Sequence, residues 1–272
     1  MRTAAFFDLD KTVIAKASMV AFSRPLHRAG LVSNRMLLRG AWAQLMYAQF
    51  GASPSQIAKM RETALQLTQG WDQAQLNAIV RETLVDVVEP IVYDEALELI
   101  RRHQEAGHKV FLVSASPEEI VAPLAQYLGV DEALATRAEL DANGRYTGRV
   151  ERYVYGDEKV ALLSEVAERD GIDLDKSYAY SDSATDVPML RAVGHPVVVN
   201  ADRELLRVAQ AEGWEVRRFT RRVRLRDRVS IPAPRHAAAG VVAVTVVAGL
   251  AVAVRWWWGR RKPSSPGPMS LG

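Results

Sequence analysis

The sequence predicts a doubly wound parallel α/β sheet, interrupted early by an all-helical insertion and followed by a C-terminal transmembrane helix. Three observations carry that expectation. From residue 90 to residue 216, short apolar runs alternate with segments of helical period, the pattern of a parallel sheet covered on both faces. From residue 18 to residue 88, apolar positions recur every three and four residues and no strand pattern intervenes. From Ala237 to Val254, eighteen residues pass without a charge.

The elements follow in order. Thr3 to Phe7 reads as a short buried strand ended by Asp8. Helical period then covers Arg35 to Phe50, Ser55 to Gln69 and Asp72 to Val88, with breaks at Ser53-Pro54 and at Gly70-Trp71-Asp72. Ser53 and Asp72 suit N-caps, because a short side-chain oxygen can accept from an orphan amide of the first turn. After Pro90 come a helix over Tyr93 to Ala106 stopped by Gly107, a strand over Lys109 to Val113, and a helix from Pro117 to Leu128 ended by Gly129. Leu134 to Val150 reads as a hairpin around Asp141-Ala-Asn-Gly144. A helix over Asp157 to Asp170, a strand over Ser177 to Tyr180, and short strands at Pro196 to Val199 and Trp214 to Val216 complete the pattern, with a helix over Asp202 to Ala211 between the last two.

The domain reading is a catalytic core over 1–16 and 89–216, a helical cap over 17–88, and a basic linker over 217–236. A membrane helix over 237–258 and a Pro/Ser/Gly-rich tail over 259–272 follow. The chain of 272 residues carries no cysteine, which removes disulfides, thiolate metal sites and cysteine nucleophiles. None of the five histidines has metal-ligand spacing to another. The apolar stretch before Asp8 is too short for a signal peptide, so the first strand belongs to the fold.

Four separated pieces supply the parts of a phosphoryl-transfer site: Phe7-Asp-Leu-Asp-Lys-Thr12, Val113-Ser-Ala-Ser116, Lys159, and Ser181-Asp-Ser-Ala-Thr-Asp186. In an open parallel sheet the ligand sits at the carboxyl ends of the strands, where all of these fall except Lys159, which opens a helix nearby. Asp8 can attack phosphorus and form an aspartyl-phosphate. Asp10 can protonate the leaving oxygen and then deprotonate water. Two close carboxylates repel, a divalent cation relieves the repulsion, and Asp182 is the natural further ligand for Mg²⁺. Ser114 and Lys159 offer a hydroxyl and a positive charge to the phosphoryl oxygens. Alone, Ser114 equally suits a helix cap and Lys159 a solvated surface. Asp186 suits both a supporting role behind the site and the N-cap of a helix starting at Val187.

This set resembles the haloacid dehalogenase superfamily, in the branch similar to phosphoserine phosphatase with a helical cap after the first motif. The resemblance covers residues 3 to 216 and rests on Asp-Leu-Asp-Lys-Thr, Val-Ser-Ala-Ser-Pro and Tyr-Ser-Asp-Ser-x-x-Asp-x-Pro-x-Leu. It implies Asp8 as nucleophile, Asp10 as general acid/base, and Mg²⁺ held by Asp8, Asp182 and the backbone carbonyl of Asp10. It further implies a supporting hydrogen bond from Thr12 in the phosphate site, phosphate contacts from Ser114 and Lys159, and Asp186 behind them. Two departures stand out. Many relatives carry glycines where this chain has Ser181, Ser183 and Thr185. Phosphoserine phosphatases place a glutamate nine residues past the nucleophile to bind the substrate amino group, and here that position is Ala17. The expected activity is therefore Mg²⁺-dependent hydrolysis of a small or lipid-linked phosphate monoester other than phosphoserine. Phosphoserine hydrolysis, transfer to an alcohol, and a non-catalytic tethered binding module are the alternatives. Arg24, His27, Arg28, Arg35 and Arg39 in the cap are basic groups that an anionic substrate could meet, and as a solvated helix face they need no such role.

At the C-terminus the apolar run is followed by Trp256-Trp257-Trp258 and then Arg260, Arg261 and Lys262, which fits an interfacial belt and a basic flank. Upstream, eight arginines lie between Arg217 and Arg235 against the single acid Asp227. The heavier basic flank predicts a single-pass anchor in the cell membrane with the catalytic domain cytoplasmic. Because the apolar run follows directly, the arginines are read as lipid-facing and no nucleic-acid partner is expected.

Overall fold

The structure, a computed structural model, describes residues 1–34, 36 and 66–222. By contacts the chain divides into Met1–Arg228 and Val229–Gly272, and the second unit lies outside the described residues. So do the expected N-cap Ser53, most of the expected helices over 35–50 and 55–69, the apolar run Ala237–Val254 and the tail. Among the described residues no helix is long and apolar enough to cross a membrane.

Successive side chains of a strand point to opposite faces of a sheet, and here both faces are filled. The strands are β1 (Ala4–Asp8), β2 (Lys109–Pro117), β3 (Glu132–Leu140), β4 (Tyr146–Arg152), β5 (Tyr178–Ser181), β6 (His195–Val199) and β7 (Glu215–Arg217). They form one sheet in the order β4-β3-β2-β1-β5-β6-β7. All neighbours are parallel except β3 with β4, which are joined through the predicted turn at Asp141. Asp141 Oδ1 accepts from the amides of Asn143 and Arg145, which closes that turn.

The described helices are α1 (Ser18–Arg28), α2 (Gln73–Val88), α3 (Asp94–Glu105), α4 (Glu118–Leu128), α5 (Asp157–Asp170), α6 (Val187–Arg191) and α7 (Arg203–Glu212). Ala5 and Phe7 of β1 join the apolar residues of α1, α2, α3 and α4 in one buried cluster. Ala4 and Phe6 join those of α5, α6 and α7 in the other. Phe7 stacks on Tyr180 at 4.3 Å on the first face, and Phe6 on Phe111 at 5.2 Å on the second. This double cover is why β1 reads as an unbroken apolar run rather than an alternating one.

The strands extend slightly past their predicted ends. Asp8 still pairs in register with Val113, and Ser181 with Val198. Ladder bonds are backbone bonds, so a polar side chain at the strand end does not stop them. Pro117 caps α4 instead of lying in its first turn. Asp72 does cap α2, accepting from the Gln75 amide at 3.1 Å.

Two sets of contacts hold the segments around the site. The paths leading out of β1 and back toward α3 run side by side, with Tyr93 N donating to Val13 O at 3.0 Å and Ala15 N to Ile91 O at 2.7 Å. The β3–β4 turn grips the start of α2: Gly70 N donates to Tyr146 O, Tyr146 N to Trp71 O and Gln73 N to Gly144 O. At the other end, residues 217–222, expected as the start of a linker, pack on the core. Phe219 is buried edge-on against Tyr93, and Glu95 accepts from the amides of Thr220 and Arg221. Phe219 and the Asp94-Glu95-Glu98 group facing Arg221 explain the difference, since a buried ring and multiple charge-assisted contacts oppose the freedom of a linker.

Candidate active site

Parallel register brings the carboxyl ends of β2, β1 and β5 together. The chain leaves β1 toward β2 on one side and later returns to β5 on the other, so β1 lies at the switch point where such sheets bind ligands. Asp8 ends β1, Ser114 lies near the end of β2, and Asp182 follows β5. A register shift between Ser114 and Pro117 bends β2 there. Asp10 and Lys11 make the turn after β1, with Lys11 at φ 65°, a left-handed conformation rarely taken by a residue with a side chain.

Lys159 is the residue that the sequence left least defined. It projects from the first turn of α5, where Gly156 at φ 58° turns the chain into the helix. It is 2% exposed, so the reading as a solvated lysine is overturned. Its Nζ donates to Asp8 Oδ1 at 2.7 Å and to Asp186 Oδ2 at 2.8 Å. Burial alone would lower the lysine, but the carboxylates of Asp8 and Asp186 outweigh it and hold the ammonium charged.

Asp186 sits at the N-cap position of α6 yet makes no capping hydrogen bond with its side chain. Its carboxylate is turned inward to Lys159 and to the Ser181 hydroxyl, which donates at 2.7 Å. Pro188, second in α6, has no N–H for a cap to accept, and a buried ammonium is a strong charge-assisted partner for the carboxylate.

Asp10 points elsewhere. Its Oδ1 accepts from the Ser18 amide at the start of α1 at 2.8 Å. Its Oδ2 accepts from the hydroxyls of Ser116 at 3.3 Å and Ser18 at 3.4 Å, and these two hydroxyls are 2.7 Å apart. Burial raises the Asp10 carboxyl and these donors only partly offset it. An acid held up in this way is suited to giving a proton.

Ser114 is buried, and its Oγ accepts from the Ser116 amide at 3.1 Å. Thr12 is fully buried and its Oγ1 has no hydrogen-bond partner among the described residues, so no supporting bond from it is formed. Asp182 is nearly buried, with Lys11 Nζ 4.0 Å from its Oδ2.

The site holds more buried carboxylate than cation. Burial pushes Asp8 well up, with Asp186 and Asp182 adding to the effect against Lys159. Asp182 is pushed up to about 7 by burial, with Asp186 and Asp202 adding and Lys11 opposing. A divalent cation would relieve this excess, so the donor set fits one. Among the described residues no three His, Cys, Asp or Glu side chains are arranged as a metal cage. Mg²⁺ is commonly held by one or two carboxylates, with phosphate and water completing its shell. With its side chain given to Ser18 and Ser116, Asp10 has only its carbonyl left for such a shell.

Sequence reasoning missed Ser18, Ser116, Ser181 and Asp202. Asp202 caps α7 through Oδ1 at 2.7 Å from the Leu205 amide, and its Oδ2 accepts from the Ala184 amide in the loop after Asp182. Ser116 and Ser181 lie inside the second and fourth motifs, and their hydroxyls were the available signal. Asp202 offered its cap position, and Ser18, the first residue of α1, offered no signal.

Residues 5–191 match the model of the haloacid dehalogenase-like hydrolase family. Among relatives, an "inhibition of morphological differentiation protein" of Streptomyces azureus is 47% identical over 96% of this chain and 95% of its own. A probable phosphatase of Mycobacterium tuberculosis is 48% identical over 92% and 86%. A phosphoserine phosphatase of the same organism is 36% identical over 85% and 75%. A solved protein of unknown function from Bordetella pertussis superposes with a TM-score of 0.69 at 32% identity, over 79% of this chain and 98% of that one. The chain belongs to the haloacid dehalogenase-like hydrolase family, as a phosphatase of the phosphoserine-phosphatase-like branch.

The raised Asp182 has a consequence for metal-free protein. An ordinary Asp titrates near 3.8 and this one near about 7, so the fold carries a penalty that grows as pH rises from about 4 to about 7 and is complete above it. Asp182→Asn removes the charge. In EDTA its melting temperature should exceed wild type by several degrees near pH 8, at about 2–4 °C per kcal/mol for a chain of this size, and the gap should close toward pH 4. A gap equal at both pH values would contradict the assignment.

Proposed function

We propose that this chain hydrolyses phosphate monoesters through an aspartyl-phosphate on Asp8, with Mg²⁺ as cofactor. The observation that carries the reading is the buried Lys159 ammonium bridging Asp8 and Asp186, with Ser114 and Asp182 also buried on the strands flanking β1 or just after them. Asp8 and Asp182, with the carbonyl of Asp10, would hold the ion. When bound, it supplies positive charge that keeps Asp8 ionised and offsets charge on the phosphoryl oxygens. Lys159 and the Ser114 hydroxyl bind and orient the phosphoryl group. An Asp8 oxygen forms a bond to phosphorus as the bond to the ester oxygen breaks, and Asp10 gives that oxygen its proton. Asp10 then takes a proton from water as the water oxygen bonds to phosphorus and the Asp8–phosphorus bond breaks. Inorganic phosphate and the free alcohol result.

In this reading residues 1–16 and 89–216 form the catalytic core, and 17–88 form a helical cap that selects the alcohol. Ala17, in place of the glutamate of phosphoserine phosphatases, leaves no carboxylate at that position for a substrate amine. It is the N-cap residue of α1, directly before Ser18. The substrate is therefore a small or lipid-linked monoester other than phosphoserine. The apolar run Ala237–Val254 is a single-pass anchor in the cell membrane, with the catalytic domain cytoplasmic.

Phosphate release by the full chain over phosphoserine, sugar phosphates and lysophosphatidate tests the activity. Turnover should require Mg²⁺, stop in EDTA, and fall by more than about 1,000-fold in Asp8→Asn. Highest kcat/KM on phosphoserine would refute the substrate assignment, and Asp8→Asn retaining wild-type turnover would refute the nucleophile. The anchor has its own test. The full chain should pellet with membranes after a carbonate wash, and recovery in the supernatant would remove it.

A further inference from the structure

Three hydroxyls stand in the fourth motif: Ser181, Ser183 and Thr185. Two of them face outward. The Ser183 and Thr185 hydroxyls lie 3.0 Å apart at an exposed position, and Ser183 Oγ accepts from the Thr185 amide. Ser181 is different. It ends β5, is fully buried, and its Oγ accepts from the Ser183 amide at 3.2 Å. A hydroxyl has one proton to give, and the hydroxyl of Ser181 donates to Asp186 Oδ2 at 2.7 Å. The same carboxylate oxygen accepts from Lys159 Nζ at 2.8 Å, and Lys159 reaches on to Asp8.

We propose that Ser181 is a positioning residue for phosphoryl transfer, holding Asp186 so that Lys159 remains shared between Asp186 and Asp8. The proposal rests on the phosphatase reading above. Asp186 Oδ2 divides its charge between two donors. Without the hydroxyl, Lys159 is the one donor left to that oxygen among the described residues, and a buried carboxylate with one donor removed pulls harder on the other. Lys159 is 2% exposed and its ammonium is shared between the two carboxylates, so any shift toward Asp186 comes at the expense of Asp8 and of the phosphoryl oxygens. Phosphoryl transfer, in which charge on those oxygens changes, then suffers more than ground-state binding. Loss of such a supporting contact typically costs about 10- to 100-fold.

The test compares Ser181→Ala and Ser181→Thr in the full chain. Ser181→Ala deletes one oxygen and should fold, which a thermal melt checks. Its kcat should fall at least about tenfold with KM within about twofold, and Ser181→Thr, which keeps the hydroxyl, should recover most of the loss. A wild-type kcat in Ser181→Ala, a loss confined to KM, or equal loss in both variants would overturn the proposal. A second measurement does not depend on turnover. Ser181→Ala, Lys159→Met and the double variant form a stability cycle in EDTA. A shared grip on Asp186 predicts melting shifts that do not add, whereas a hydroxyl that only closes the loop onto Ser183 predicts shifts that do. If wild type turned over no ester, the phosphatase reading would fall, and additivity or its absence in the cycle would still decide the Ser181–Lys159 link.

Discussion

A single buried ammonium is the constraint around which the candidate site is arranged. Asp8, Asp182 and Asp186 are brought into the interior at adjoining strand ends, and Lys159 lies between two of them. Removing one partner of a buried ion pair strands the other in a medium that solvates it poorly. The position of Lys159 therefore depends on Asp186, whose side chain gives up the cap of α6 to meet it. One lysine does not balance the carboxylates present, and the raised Asp8 and Asp182 express that deficit. A buried excess of carboxylate of this kind suits a divalent cation.

The sheet explains why those groups meet. Parallel strands all end on the same edge, and β1 sits between β2 and β5, so three motifs separated by many residues of sequence become neighbours. Apolar packing on both faces, through Phe7 on Tyr180 and Phe6 on Phe111, fixes β1 against its neighbours. Asp8 thus stands at the end of a strand whose five residues are all buried. Asp10 is held differently, through hydroxyls on the β2 end and the first turn of α1. Asp8 and Asp10 are therefore held by different hydrogen-bond partners, Lys159 for the first and Ser18 and Ser116 for the second.

Much of this arrangement is legible in the amino-acid sequence. The alternation of apolar runs and helical segments marks the parallel core, and polar residues ending those runs mark the edge where the site lies. Boundaries shift by a residue or two, because ladder bonds continue past the last apolar side chain, as at Asp8 and Ser181. The supporting hydroxyls are not legible as such. Ser18 and Ser116 lie on different elements and meet at Asp10 only in three dimensions. Asp186 occupies a helix-cap position, but its carboxylate turns instead to Lys159, twenty-seven residues away, and to the Ser181 hydroxyl. The docking of residues 217–222 is hidden for a similar reason: arginine density dominates that stretch of sequence, while Phe219 and the acidic start of α3 decide the outcome.

Covalent capture of the intermediate tests the central claim most directly. The full chain, quenched during turnover and reduced with borohydride, can be cleaved by trypsin to release Thr3–Lys11, which carries both Asp8 and Asp10. Fragment masses should place the reduced residue, homoserine in place of aspartate, at position 8 and not at 10. Turnover at full rate with no modification at Asp8, or with the modification at Asp10, would contradict the account.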